Sequence, residues 1–494
     1  MPEEVKTQPP MSFSANTNLN KVLLLWLVGA AFFMESLDTT ILNTAVPTVA
    51  AALKVPPLNM KSVLASYTLS LAVFIPISGW MADRFGTRRV FASSIGLFTI
   101  GSFLCGLSSD IRVLVAYRIL QGCGGAMMVP VGRLTLLRTF AKSELIRAIS
   151  FVQIAGLIGP IVGPIAGGLI VGYLHWRMIF LVNIPTGLLA LLMVYIHLPD
   201  FREERTPPAD ILGLVTFGSG VGLLSYVLEV FGGHTTSAGA AAILLGVSLA
   251  FMSSYWLHAR RIKFPLLRLD LLGIRTFGIA VSGGCLTRLG IGGVSFLLLL
   301  LCQAGLGFTP VQSGLLIVPQ AAAAVALKFA TPRILARLGY RTVLTSNTIM
   351  IGTMLLLFAT IGLHTAAWAI VLMTFFYGAF TSLQFTSMNT LAYADIAEGE
   401  TSMASSIFST MQQMSISFGI TCAGLATEAF IPAGLRSSRG EMIHGIQGSF
   451  IALGAFTVGS TIIFTKLEGT DGDEISRQGG GAARVRSHEL FEPA

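Results

Sequence analysis

Residues Phe33 to Val49 read FMESLDTTILNTAVPTV, and the reading of the whole chain turns on them. Val22 to Phe32, just before, is an unbroken apolar run of the kind that fills a membrane helix. Glu35, Asp38 and Asn43 then stand where such a helix carries hydrocarbon-compatible side chains. A carboxylate at bilayer depth costs about 2.5–3.5 kcal/mol on insertion scales unless it is paired, hydrated or protonated. No helix needs these residues in order to form, so the stretch reads as an ion or proton site within a span. A purely structural polar contact is the alternative.

Composition agrees with a membrane setting. Of 494 residues, 53% are hydrophobic and 11% charged, with a mean hydropathy of +0.75. Soluble proteins carry about 25% charged residues, so this is a polytopic membrane protein with little soluble mass. The 53 glycines and 18 methionines suit closely packed membrane helices. The stretch before Asn20 is short and polar with no cleavable signal pattern, so the first apolar run is expected to be retained. Cys105, Cys123, Cys285, Cys302 and Cys422 fall in or at the ends of apolar runs, without metal-ligand spacing. They read as packing residues, and no metal or cofactor is expected.

Apolar segments recur near residues 22–46, 59–81, 88–107, 112–136, 147–172, 177–198, 211–231, 238–257, 276–302, 311–331, 342–362, 366–392, 402–430 and 446–465. Each is close to the ~20 residues a bilayer requires, which makes fourteen spans. Basic residues sort by side. Arg84, Arg88, Arg89, Arg138, Lys142, Arg147, Arg260, Arg261, Lys263, Arg268, Arg275, Arg333, Arg337 and Arg341 fall in one set of loops. The opposite set holds little beyond Lys54, Lys61, Arg112, Arg177, Arg436 and Arg439. The positive-inside rule makes the first set cytoplasmic and places both termini inside. The net charge of +8 is therefore a topology signal; the bilayer, not a nucleic acid, is the expected partner.

Between spans two and three the chain reads Gly79-Trp-Met-Ala-Asp83-Arg84-Phe-Gly86-Thr-Arg88-Arg89. Gly86 permits a tight turn with positive φ, and Asp83 is placed to meet an arginine or a helix N-terminus. Arg337-Leu-Gly339-Tyr-Arg341 repeats Arg84-Phe-Gly86-Thr-Arg88 at an offset of 253 residues, with Ala336 where Asp83 stood. A six-helix half needs about 190 residues, so the offset leaves room for two further helices, and residues 211–257 supply them. The expected architecture is all-α, with six, two and six transmembrane helices in pseudo-two-fold halves. Its parts are a cytoplasmic tail (1–21), a six-helix bundle (22–198), a charged linker with two extra helices (199–260), a second six-helix bundle (261–466) and a disordered cytoplasmic tail (467–494).

Span four carries Arg118, Gln121 and a glycine run, Gly122-Cys-Gly124-Gly125. Counting ~1.5 Å per residue puts Arg118 about 9 Å below one boundary and Asp38 roughly 6 Å below the same one. The two therefore share a depth. An arginine beside a carboxylate favours the charged form and burial disfavours it, so a site that alternates between wet and dry can take up and release a proton. Glu35 lies one turn before Asp38 on nearly the same face; it either shares that proton or faces an aqueous cavity. Span five, Gly156-Leu-Ile-Gly159-Pro160-Ile-Val-Gly163-Pro164-Ile-Ala-Gly167-Gly168, reads as a bent helix with a flat glycine face.

Leu37 to Pro47, the Gly79 loop, the Arg118 helix and the Gly-Pro helix, in this order, resemble the fourteen-span drug:proton antiporter branch (EmrB/QacA type) of the major facilitator superfamily. The resemblance covers almost the whole chain. Gly122 to Thr135 and the run Phe385-Thr-Ser-Met-Asn389-Thr-Leu look most similar to its MdtD-like members. The resemblance implies a major facilitator fold and a proton-driven exporter of the bacterial inner membrane that works by alternating access, as a monomer, on small organic solutes or drugs. It carries Asp38 and Arg118 as coupling residues and the two glycine motifs as conformational elements. It carries no substrate. The alternative is a facilitator that imports or symports a nutrient or organic acid.

The C-terminal half is sparser. Arg288 lies about mid-membrane in span nine, with no acid assigned to it. Gln384, Asn389, Gln412 and Gln413 are candidates to line a cavity, with Asn43 and Gln121 from the first half, beside Phe375, Phe376, Tyr377 and Phe385. Glu229 and Glu428 fall near span ends and are expected to be solvated. The deep charges are then Glu35 and Asp38 against Arg118 and Arg288, a balance that suits neutral or anionic cargo as well as cationic drugs. An ATP-driven pump lacks its phosphate-cradling loop here, and the seven histidines show no paired-ligand spacing, so no enzyme is expected.

Overall fold

The computed structural model describes residues 17–140, 142–203, 206–233, 238–397, 400–431 and 439–472. Arg436 and most of the two expected tails lie outside them. The described residues form helices and connecting turns, without a strand: α1 (Thr17–Ala52), α2 (Lys61–Phe85), α3 (Thr87–Leu107), α4 (Ile111–Thr139), α5 (Lys142–Tyr173), α6 (Met178–Leu181), α7 (Asn183–His197), α8 (Ile211–Gly233), α9 (Ala238–Ala259), α10 (Arg275–Ile291), α11 (Val294–Leu300), α12 (Pro310–Phe358), α13 (Ala367–Leu391), α14 (Thr401–Phe430) and α15 (Arg439–Phe464). Among these residues, 12 helices are long and apolar enough to cross a membrane.

Two of the expected segments are reached differently. The 49 residues of α12 are two helices joined at Gly339, whose φ of 72° and ψ of 162° break the helical path. The 30 residues of α14 are diluted by serine, threonine and glutamine. Several of its hydroxyls bond back along the helix, Thr427 to the Ala423 carbonyl at 2.9 Å and Ser415 to that of Met411 at 2.6 Å, which lowers the cost of carrying them in a span. Each expected apolar segment thus falls mostly within helix, while 177–198 and 276–302 are each divided between two helices.

Gly86 and Gly339 hold the same conformation, the first with φ 95° and ψ 142°. A side chain at Gly86 would strike the Asp200 carboxylate. That contact belongs to a small interlock: Thr87 N–H donates to the Phe201 carbonyl at 3.0 Å, and Glu203 N–H to that of Asp83 at 3.0 Å. Arg88 N–H bonds Asp200 Oδ1 at 3.0 Å, and Trp80 Nε1 bonds the Pro207 carbonyl at 2.8 Å. Asp83 meets Arg138 Nη2 at 2.8 Å, which also holds Glu203 at 2.9 Å. Asp210 then caps α8 and binds both His258 of α9 and the Leu266 N–H. At the far end of the chain, Arg275 pairs with Glu468 and Asp471, so residues up to Gly472 stay packed on the bundle.

One apolar cluster knits Leu24, Val28, Phe91, Phe98 and Val131 within the first bundle. Another joins α8 and α9 to α2, α10 and α14 through Phe217, Val221, Ile77 and Phe277. The largest spans both halves at the end opposite the basic loops, packing Ile41, Val49 and Phe180 with Leu297, Leu316 and Phe450. Polar contacts cross there too. Gln303 Nε2 reaches the Thr44 carbonyl at 2.8 Å and Ser417 Oγ that of Ala65 at 2.9 Å. Gly168 lets α5 approach the Pro310 carbonyl so closely that a Cβ would lie 2.7 Å from it.

The expectation for Glu428 and Glu229 is overturned here. Glu428 is buried and paired with Lys61 Nζ at 2.9 Å, and Lys61 is the buried first residue of α2, not a loop cation. Glu229, half-buried, accepts a hydrogen bond from Ser62 Oγ. Glu428 is enclosed between α2 and α14, and Glu229 is bonded to the first turn of α2, so each takes a protein partner.

Candidate functional site

Helical spacing along α1 turns Asp38 inward, where α3, α4 and α7 converge on it. Asp38 and Arg118 are each only 1% exposed, and Arg118 Nη1 meets Asp38 Oδ2 at 2.6 Å. The other carboxylate oxygen accepts from Gln121 Nε2 at 2.9 Å and from Asn183 Nδ2 at 3.1 Å. Ser102 Oγ of α3 fastens both amides, at 2.8 Å from Gln121 and 2.9 Å from Asn183. Gln121 Oε1 in turn accepts from Arg118 Nη1 at 2.7 Å. The Tyr67 ring lies 4.2 Å from the guanidinium centre and Phe180 5.9 Å. A carboxylate offers about four lone-pair directions; three donors from two neighbouring helices occupy this one.

The glycine helix lies directly behind. α5 runs unbroken through Pro160 and Pro164, and Gly159, Gly163 and Gly167 face α1 at Ser36, Thr40 and Ile41. A Cβ at Gly159 would sit 2.8 Å from the Leu37 backbone nitrogen. Thr40 Oγ1 crosses to the Gly159 carbonyl at 3.3 Å. The turn of α1 that carries Asp38 therefore rests on a surface with no side chains to catch it. Gly168 faces α12, across the halves. Gly79 has nothing within 4 Å of its Cβ position.

Not every expected residue is where a cavity wall needs it. Gln121 is fully buried within the Asp38 cluster. Gln384 is also fully buried, bonded by Asn347 Nδ2 at 2.9 Å and donating to Thr348 Oγ1 at 2.7 Å, so it fastens α13 to α12. Asn43 is half-buried and donates to the Thr39 carbonyl at 3.4 Å. Glu35 and Gln413 are half-buried, and Asn389 is exposed.

Arg288 makes the second buried cation. It is 2% exposed, lies between the Phe385 and Phe408 rings at 4.8 and 5.2 Å, and donates from Nη2 to Gln412 Oε1 at 3.2 Å. Its Nε has no hydrogen-bond partner and, among the described residues, no carboxylate pairs with it. Asn183 and Ser102 escaped the sequence reading. An asparagine inside the sixth apolar segment was the available signal for the first; a lone serine in a span offers none.

The family described as Major Facilitator Superfamily matches residues 28–420. A protein named "Putative multidrug resistance protein MdtD" from Pectobacterium carotovorum subsp. carotovorum is 40% identical over 84% of this chain and 89% of its own length. The one from Cronobacter sakazakii is 37% identical over 94% and 97%. Among solved structures, a bacterial homolog of the human lysosomal transporter Spinster, in an inward-facing and unoccupied conformation, has a TM-score of 0.67 at 12% identity, over 95% of this chain and 99% of its own. The human organic anion transporter MFSD10 has a TM-score of 0.58 at 14% identity, over 92% and 100%. By these likenesses and the twelve apolar helices among its described residues, the chain is a multi-pass membrane transporter and belongs to the major facilitator superfamily.

Proposed function

We propose that the protein is a proton-coupled antiporter that exports small organic solutes or drugs across the bacterial inner membrane. Its basic loops and both termini face the cytoplasm, and residues 22–198 and 261–466 are the two halves that rock about a central site. The linker and extra pair of helices, 199–260, join them. The observation that carries the reading is the Asp38 carboxylate, buried against Arg118, Gln121 and Asn183 on the helix that rests on the glycine face of α5. The multidrug resistance relatives support the export direction.

In this geometry three donors grip the Asp38 carboxylate. A proton on it cancels the charge that three donors grip and loosens α1 from α4 and α7. The glycine face of α5 lets that turn of α1 shift without side-chain collision. Packing is tight at the end opposite the basic loops, so the arrangement corresponds to an inward-facing state, in which cargo enters from the cytoplasm and the proton leaves. Arg288, a buried cation without a counter-charge among the described residues, suits cargo bearing an anionic group, with Gln413 and Asn389 as further contacts.

The test uses everted membrane vesicles with an imposed proton gradient and a pH-sensitive dye, challenged with drugs and with organic acids. Dequenching in wild type that is lost in Asp38→Asn is the expected result. Equal responses in both proteins would remove Asp38 as the proton carrier and make Glu35 the next to test.

A further inference from the structure

The Lys61–Glu428 pair and the Ser62–Glu229 contact stand next to each other at the end opposite the basic loops, and neither belongs to the Asp38 site. Lys61 and Ser62 open α2, Glu428 lies in the last turn of α14, and Glu229 is on α8, the first of the two inserted helices. The pair is one-pronged: Lys61 Nζ holds Glu428 Oε1, while the buried Oε2 has no partner. The lysine stem reaches it by lying over Gly424, where a Cβ would come within 2.5 Å of the Lys61 Cδ. Beside the pair is a cavity of about 150 Å³ lined by Lys61, Ser62, Ser66, Ser225, Glu229 and Thr421. Lys61 and Glu229 thus face the same space, and Thr421 of α14 walls it.

Rocking the halves apart at this end withdraws α14, and with it both Glu428 and the Thr421 wall. Lys61 is then left in a half-buried wall without its counter-charge, which is costly unless another carboxylate replaces the first. A lysine is the residue for such an exchange, a compact charge on a flexible four-carbon stem. We infer that Lys61 trades Glu428 for Glu229 when this end opens, so that the inserted helix α8 supplies the counter-ion of the outward-open state. The extra pair of helices thereby stabilises one side of the conformational equilibrium. The inference rests on the alternating-access reading above and needs no proton at either glutamate.

The experiment places spin labels at Asn59→Cys and His364→Cys, exposed positions in loops of the two halves at this end, in a background without the five native cysteines. Distances are measured in lipid nanodiscs across a range of pH. Wild type should show a short and a long population. E428Q should enrich the long one, and E229Q should deplete it by about tenfold or more. Adding E229Q to K61M should change nothing further, because the charge it serves is gone. Glu229 is half-buried, so E229Q remains informative even where E428Q folds poorly. The inference is overturned if E229Q leaves the populations unchanged, or if its effect survives in K61M. A single distance at every pH in wild type would instead sink alternating access, and the exchange with it.

Discussion

Arg118 and Arg288 are both buried arginines in transmembrane helices, and they are held in opposite ways. Arg118 has a carboxylate, the Gln121 amide oxygen and two aromatic rings, and its carboxylate is itself held by the amides of Gln121 and Asn183. Arg288 has two aromatic rings and one amide oxygen at 3.2 Å. The first half of the molecule carries a closed circuit of charge. The second carries a charge that no carboxylate pairs with among the described residues. A buried ion is retained either because the fold completes it or because a ligand does; Arg118 is the first case, and the proposal above makes Arg288 the second.

Removing one partner of each arginine separates the cases most sharply. Arg118→Met leaves Asp38 buried and uncompensated, and should cost about 3–5 kcal/mol, read as a large drop in thermal midpoint in detergent together with loss of proton-coupled efflux. Arg288→Met should be close to neutral or stabilising in the same melt, while export of organic acids disappears. If Arg288→Met destabilised as strongly as Arg118→Met, the contrast would fail and Arg288 would be a structural ion with an undetected partner. Export of organic anions that persisted in Arg288→Ala would also break its assignment to cargo.

Next in size are the amides that complete the first circuit. Asn183→Leu removes one hydrogen bond to a charged oxygen, worth about 1.5–3 kcal/mol. It should also shift the pH dependence of efflux while leaving the Arg118 contact in place. A flat result would reduce the circuit to its ion pair. The two turn glycines give a smaller contrast between the halves. A side chain held at positive φ with extended ψ costs about 1–3 kcal/mol, so Gly339→Ala should show about that in the melt. Gly86→Ala should exceed it, because its methyl also meets Asp200.

A third arginine, out in water, calibrates the other two. Arg268 holds Asp270 at 2.7 Å, and this hydrogen bond keeps the Asp270 carboxyl below its ordinary range despite some desolvation. A depressed carboxylate stabilises the fold above its unfolded pKa, and that contribution fades as pH falls through the folded one. Asp270 is 64% exposed, so screening leaves less than about 1 kcal/mol. Asp270→Asn should barely move the melt at neutral pH and erase what little it adds to the acid slope.

The sequence disclosed those features whose physics is local. Asp38 and Arg118 announce themselves by charge inside apolar runs, and counting rise per residue puts them at one depth before any packing is known. Gly86 and Gly339 declare their turns because only glycine takes that conformation comfortably. Gln121 misled for a physical reason: a span glutamine has equal reason to face a cavity or a neighbouring carboxylate, and only the α3–α4–α7 packing decides. The Lys61–Glu428 pair was out of reach, since its partners are 367 residues apart and each alone looks like a solvated span end.

The interlock around Gly86 also bears on where the chain can be divided. Asp200, Phe201 and Glu203 follow the last helix of the first bundle, yet they bond the turn between its second and third helices. A fragment ending at Leu198 would leave Arg138 with one acid instead of two and the Thr87 N–H with no acceptor from the linker. The first half is therefore completed only after its sixth span, by a strap of residues that a hydropathy plot assigns to nothing. Splitting the protein for co-expression of its halves should succeed with cuts beyond Glu203 and falter with cuts before Asp200.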